Sequence, residues 1–147
     1  MVVGELGQDG RRTVLIDGDT VAILTPDNQQ VRVRVNWIDA PELGQPFGHT
    51  AKQAMSGLVF GKEVELSTRG KDRYGRTLAL VFVDGVDAGL ELIRLGMAWP
   101  YYKYLPEADQ ELRVAYLAAA ERAKANRLGL WSDPDPMPPW QCSSPGS

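Results

Sequence analysis

The sequence predicts an α+β fold, a small β-barrel of five strands carrying three α-helices, and three observations predict it. Short Val-rich segments with a two-residue period occupy the first two thirds of the chain, and turn dipeptides such as Asp17-Gly18 and Asp84-Gly85 separate them. Residues 49–60, 90–95 and 107–128 instead place their apolar side chains at helical spacing. At 147 residues, with 44% hydrophobic and 24% charged residues, the chain is sized for one domain around one core.

The elements follow in order. Residues 1–12 hold two valines and then turn formers, and are expected to be a loose start. Thr13–Ile16 is the first strand and Thr20–Leu24 the second, joined at Asp17-Gly18, where glycine tolerates the positive φ of a tight hairpin. After the turn "TPDNQ", residues 31–37 alternate cleanly. Val31, Val33, Val35 and Trp37 share one face, and Arg32, Arg34 and Asn36 the other, the pattern of a half-buried strand. The alternation slips at Ile38, which predicts a bulge or strand end just before Asp39. Ala51, Ala54, Met55, Leu58 and Val59 give the first helix its apolar stripe, and Gly61 ends it. Residues 63–67 are a fourth strand, "TRGKDRYGR" (68–76) a loop, and 77–83 a fifth strand. Gly96 stops a short helix at 90–95. Leu112, Tyr116, Ala119, Ala120, Ala123 and Leu128 form the stripe of a long one, capped by Gly129. Residues 132–147 are a Pro-rich tail with too many prolines for regular structure. Three hairpin-linked strands early, with helices packed on a five-stranded sheet, fit a barrel of the OB type.

Composition narrows the chemistry. No apolar run is long enough to span a bilayer, and no basic segment followed by an apolar run is visible at the start. One histidine and one cysteine leave no His-rich or Cys-based metal site. Catalysis would therefore rest on carboxylates, arginines, lysines, hydroxyls or an oxygen-held metal. A net charge of −3 argues against broad nonspecific binding of nucleic acid but leaves room for a local basic pocket.

The candidate residues for such a pocket are Asp17, Asp19, Arg34, Asp39, Glu42, Asp72, Arg73, Tyr74 and Arg76. In a three-strand meander, Asp19 after the first turn and Asp39 at the third strand's end can converge at one rim. Two carboxylates, a backbone carbonyl and water suit a hard cation such as calcium, whereas zinc and copper lack soft ligands here. Pro41 restricts the chain before Glu42, so that carboxylate is held in a defined direction, as a proton acceptor must be. Arg34 and Arg76 can clamp a phosphate bidentately. Each feature has a plainer reading. Asp17-Gly18 is ordinary turn chemistry, Arg32 and Arg34 are solvated strand residues, "RYGR" is a turn, and "WPYYKY" (99–104) is a packed loop rather than a base-stacking platform. His49 belongs to a helix start.

Taken together, "IDGDTV", "RVNWIDAPE", "DRYGRTLALVFVDG", "LIRLGMAW" and "GLW" resemble, in order and spacing, the staphylococcal nuclease (thermonuclease) family from Thr13 to Trp131. The resemblance implies an OB-fold barrel with three helices over 13–131. It also implies a calcium-dependent endonuclease acting on DNA and RNA and leaving 3′-phosphate and 5′-hydroxyl ends. It implies that Asp19, Asp39 and the carbonyl of Ala40 hold the metal, with Asp17 nearby. Glu42 is then the general base, and Arg34 and Arg76 bind the scissile phosphate. Arg73 and Tyr74 match positions holding another phosphate, and Tyr102 and Tyr104 those lining a base pocket. A monomer acting on nucleic acid, preferably single-stranded, and exported to the periplasm or medium, is the expectation that follows. Gly89 stands where the family usually has an Asn, which is expected to soften the second helix. Two other readings stay open: a binding module with the same barrel and little catalysis, and a structural domain with no substrate.

Overall fold

The computed structural model describes residues 2–3, 14–24, 27 and 29–142. Its strands are β1 (Val2–Val3), β2 (Val14–Asp17), β3 (Thr20–Leu24), β4 (Gln30–Val35), β5 (Ile38–Asp39), β6 (Glu65–Lys71), β7 (Thr77–Val83), β8 (Val86–Asp87) and β9 (Trp99–Pro100). The helices are α1 (Gly48–Val59), α2 (Ala88–Arg94), α3 (Gln110–Ala125) and the short α4 (Pro139–Cys142). Turns of 3₁₀ helix occupy Leu105–Glu107 and Gly129–Ser132.

The main sheet runs β1-β6-β7-β4-β3-β2, with β8 against β7. Neighbouring pairs are antiparallel except β4 and β7, which run parallel, with Val33 opposite Thr77 and Val35 opposite Ala79. Five principal strands thus curl as a partly open barrel of the OB type; among the described residues no pairing closes β6 onto β2. The alternation read in residues 31–35 is realised. Val33 and Val35 are fully buried, Arg32 is exposed, and Arg34 keeps its charged end at the barrel rim.

Several boundaries differ from the sequence expectation, each for a local reason. The fourth strand does not stop at residue 67. It continues through the supposed loop to Lys71, because a bulge between Thr68 and Lys71, with Gly70 at φ +100°, lets the ladder resume opposite Thr77. The true loop is only 72–76. Val2–Val3, expected to be loose, pairs with Ser67 and Leu66 on β6. The expected long helix at 107–128 begins only at Gln110, after Ala108 turns extended. Gly18 is not in the left-handed region; it is glycine because a Cβ there would lie 2.9 Å from the Cβ of Ala40 and 3.1 Å from that of Ala51. Gly85, by contrast, has φ +78° after Asp84 at +52°, the tight hairpin geometry its sequence implies. In the Pro-rich tail, Pro139–Cys142 still forms one helical turn.

The core gathers Ile23, Val33, Val35, Ile38 and Val81 from the strands, Met55 and Val59 from α1, Leu92 and Ile93 from α2, and Tyr116 from α3. Gly89 lies inside α2, where a Cβ would press on Val35 and Ile38 at 3.3 Å, so the glycine permits close docking of α2 on the barrel. Asp87 caps α2 by accepting from the Leu90 N–H and takes the Tyr116 hydroxyl at 2.6 Å. That pair ties β8, α2 and α3 together.

Burial pushes the Asp87 carboxyl above its ordinary value, against the opposing pull of the Tyr116 hydroxyl and the Leu90 N–H. The folded chain therefore holds this proton more tightly than the unfolded chain, and stability falls as pH rises from about 4 through the folded pKa. Tyr116→Phe leaves the carboxylate buried without that donor. The expected cost is about 1–3 kcal/mol, with the decline on raising pH extended to higher pH. Urea unfolding at several pH values checks both.

Candidate active site

The chain turns sharply after β4. Asn36 N–H bonds to the Ala79 carbonyl, and Trp37 takes φ +69°, a region costly for a bulky side chain, with its N–H on Asn36 Oδ1. This turn breaks the alternation at Ile38, as the sequence predicts. It sends Ile38–Asp39 into a separate ladder with Pro100 and Trp99, while the Tyr101 N–H bonds to the Trp37 carbonyl. The acid at residue 39 and the aromatic segment 99–104 thereby become neighbours.

At the same rim, Asp19 leads into β3 and its carbonyl receives the Val35 N–H. Its carboxylate is buried, with the residue 7% exposed, and burial of a charge demands partners. Asp19 Oδ2 accepts the Ala40 N–H at 2.9 Å and lies 3.5 Å from Arg34 Nη2; Oδ1 accepts the Thr20 hydroxyl at 3.3 Å. The same Arg34 nitrogen lies 3.8 Å from Asp39 Oδ1. Two acids far apart in sequence thus face one point, with a guanidinium against both.

The second arginine joins this group through Thr20, whose hydroxyl accepts from Arg76 Nη1 at 3.4 Å. Asp72 fixes Arg76: its Oδ2 accepts from Nε at 2.7 Å and its Oδ1 from the Arg76 and Tyr74 backbone N–H groups. Burial alone would raise the Asp72 pKa, but the Arg76 N–H, the Arg76 guanidinium and the Tyr74 N–H outweigh it and hold the carboxyl below its ordinary value. Tyr74 is exposed, with the guanidiniums of Arg73 and Arg76 over its ring at 5.0 and 5.5 Å.

Glu42 is exposed just after buried Pro41. Its N–H bonds to Gln45 Oε1 at 2.8 Å and its carbonyl receives the Gln45 N–H. A Cβ at residue 48 would collide with the Glu42 carbonyl oxygen, so the start of α1 closes on Glu42 only because Gly48 has no side chain.

The aromatic segment divides. The Tyr101 ring lies 5.6 Å from the Arg34 guanidinium, and its hydroxyl pKa is raised by burial and then by the Asp39 charge. Tyr104 meets Tyr101 edge-on at 5.0 Å, whereas Tyr102 faces Trp140 at 6.2 Å. The structure therefore brings Asp19, Arg34, Asp39, Ala40 and Arg76 into one connected group, with Tyr74 and Arg73 beside Arg76, while Glu42 follows Pro41 in the chain and is held by Gln45. The Asp17 side chain lies outside the described residues. Thr20, Asp72, Gln45 and Tyr101 support this group without having been assigned a role from sequence. Only Asp72 of these stands among the candidate polar residues of the sequence, there without a role.

The donor set fits a hard divalent cation. Two carboxylates converge on Arg34, the main chain of Ala40 bonds to one of them through its N–H, and the side-chain ligands on offer are oxygen. Among the described residues no group of three or more Asp, Glu, His or Cys side chains forms a metal cluster, so any ion would depend on this acid pair, main chain and water. No helix among the described residues is long and apolar enough to cross a membrane.

The family model described as staphylococcal nuclease homologue matches residues 32–133. A Haemophilus influenzae protein called an uncharacterized endonuclease is 44% identical over 125 residues, spanning 85% of this chain and 67% of its own length. Protein ParB of Escherichia coli is 41% identical over 138 residues, 86% of this chain and 74% of that protein. The micrococcal nuclease of Shigella flexneri is 38% identical over 136 residues, 86% of this chain and 75% of that protein.

Proposed function

The chain belongs to the staphylococcal nuclease family, and from that premise we propose that it is a calcium-dependent endonuclease. Its substrates on this reading are DNA and RNA, single strands preferred, and its products carry 3′-phosphate and 5′-hydroxyl ends. The observation that carries the reading is the convergence of Asp19 and Asp39 on Arg34 Nη2 at 3.5 and 3.8 Å.

Asp19, Asp39 and the Ala40 carbonyl would hold the cation, which when bound supplies Lewis-acid polarisation of a phosphate oxygen. The Glu42 carboxylate accepts a proton from the attacking water as its oxygen bonds to phosphorus. The bond from phosphorus to the 5′ oxygen breaks, that oxygen takes a proton from solvent, and the phosphate stays on the 3′ side. Arg34 and Arg76 meet the charge that grows on the equatorial oxygens, and Asp72 keeps the Arg76 fork aimed. Arg73 and Tyr74, exposed on the neighbouring loop, hold an adjacent phosphate. Tyr102 and Tyr104 offer ring faces to a base.

Incubation of the protein with single-stranded DNA and then RNA, with calcium and then with chelator, tests this. Cleavage that calcium restores after chelation, with ends that a 5′ kinase labels directly, is the expected result. Tight strand binding without cleavage at any pH would select the binding-module reading instead.

A further inference from the structure

The cations near the rim divide by partner. Arg34 lies against Asp19 and Asp39, and Arg76 against Asp72. Arg69 differs. Among the described residues its guanidinium faces an aromatic ring and no carboxylate, 5.2 Å from the centre of the Trp37 ring. Trp37 is 4% exposed and holds φ +69° in the turn that leads to Asp39. Arg69 covers that ring while remaining exposed itself. A ring face attracts the guanidinium but accepts none of its in-plane hydrogen bonds, so the N–H fork stays open to a ligand.

The register sets Arg69 beside the acid and arginine group. On β7, Leu78 stands opposite Arg34 of β4. On the other side of β7, Thr68 pairs with Ala79 and Lys71 with Thr77, so the bulged pair Arg69-Gly70 faces Leu78. Ala79, Val33 and Val35 are fully buried; alternation turns Leu78, Arg34 and Arg69 to the opposite face. One row across the sheet thus runs Thr20, Arg34, Leu78, Arg69. Its last member stands two strand spacings, roughly 10 Å, from Arg34.

We propose that Arg69, seated on Trp37, is a further phosphate subsite for a single-stranded substrate. It lies beyond the scissile phosphate at Arg34 and Arg76 and the adjacent one at Arg73 and Tyr74. The subsite takes its ligand from the nuclease reading. A planar fork can give two parallel hydrogen bonds to a phosphate, and Arg69 breaks no ion pair to do so. Stacking on Trp37 already restrains the side chain, which lowers the entropy lost on binding. A chain with net charge −3 has little general attraction for a polyanion, so strand affinity depends on local contacts of this kind.

Anisotropy titrations of the full-length Glu42→Gln protein with calcium, at several salt concentrations, test this. The probes are a dinucleotide and a single strand of about eight nucleotides. Adding Arg69→Gln should lower the slope of log affinity against log salt by about 0.7 for the long strand, the share of one phosphate contact, and leave the dinucleotide slope unchanged. Arg69→Lys, which keeps the charge, should keep the slope. Loss of the Trp37 cover alone would weaken both lengths alike at every salt concentration; that result, or an unaltered slope, overturns the proposal. A second readout does not need the glutamine variant to fold. In the Glu42→Gln protein, neutral methylphosphonates placed singly along the long strand should reveal a position beyond the dinucleotide where binding weakens about 10-fold, and a flat profile overturns the proposal. Absence of cleavage by the unaltered protein, with the Arg69-dependent slope intact, overturns the nuclease reading while the subsite stands.

Discussion

Glu42→Gln is expected to lower kcat by roughly 10²–10⁴-fold, the usual contribution of a positioned general base. The amide keeps the shape of the side chain but cannot take up a proton. Glu42 is exposed, and its placement depends on backbone contacts with Gln45 and on the bare Cα of Gly48 rather than on its own carboxylate. The variant should therefore melt with the parent, within about 0.5 kcal/mol. Substrate binding should also persist, because the phosphate is held by other groups, so KM should move little while kcat and kcat/KM fall together. Steady-state kinetics beside a thermal melt check this. A loss under about 10-fold would remove Glu42 from the role of base.

Arg76→Ala is expected to cost about 10²–10³-fold in kcat, the range for removing one preorganised donor to developing charge. Arg76→Lys should recover little, since an ammonium cannot reproduce the planar fork that Asp72 aims. Asp72 also makes the effect depend on pH. Its folded pKa is depressed, so the stabilisation it brings is present above its unfolded value near 4 and lost as pH falls through the folded value. The orientation of Arg76 should thus persist across neutral and mildly acid pH. Asp72→Asn should weaken activity less than Arg76→Ala does, and rate measurements on both variants decide the order.

The parts of this protein legible in its sequence are those governed by periodicity and chain-order motifs. Val31, Val33 and Val35 declare a half-buried strand by alternation alone, and the break at Ile38 announces the turn at Trp37. The acids and Arg34 were legible as a list because Asp19, Arg34 and Asp39 lie toward ends of strands that a meander brings to one rim; Arg76 joins them from the loop before β7, which runs parallel to β4. What stayed hidden depends on contacts between distant segments. Nothing near Thr20 signals that its hydroxyl bridges Arg76 and Asp19, and nothing near Val2 signals a partner on β6. The two-residue ladder from Asp39 to Trp99 is too short for any period to reveal, yet it sets the acid beside the aromatic segment. Gly18 reads as a turn residue and Gly48 carries no signal of its own, whereas the space left by Ala40 and by the Glu42 carbonyl is what selects them. In residues 68–71 turn-forming composition misleads, because a bulge at Gly70 carries the strand through.

Calorimetric titration with calcium, in the presence of a nucleoside 3′,5′-bisphosphate, reads the acid pair most directly. Wild-type protein should bind one calcium ion per chain. Asp19→Asn and Asp39→Asn should each weaken that binding by at least about 10-fold, and the double variant should lose less than the product of the single effects, as two ligands of one ion require. Undiminished calcium binding in either single variant would contradict a shared site and with it the proposed catalytic arrangement.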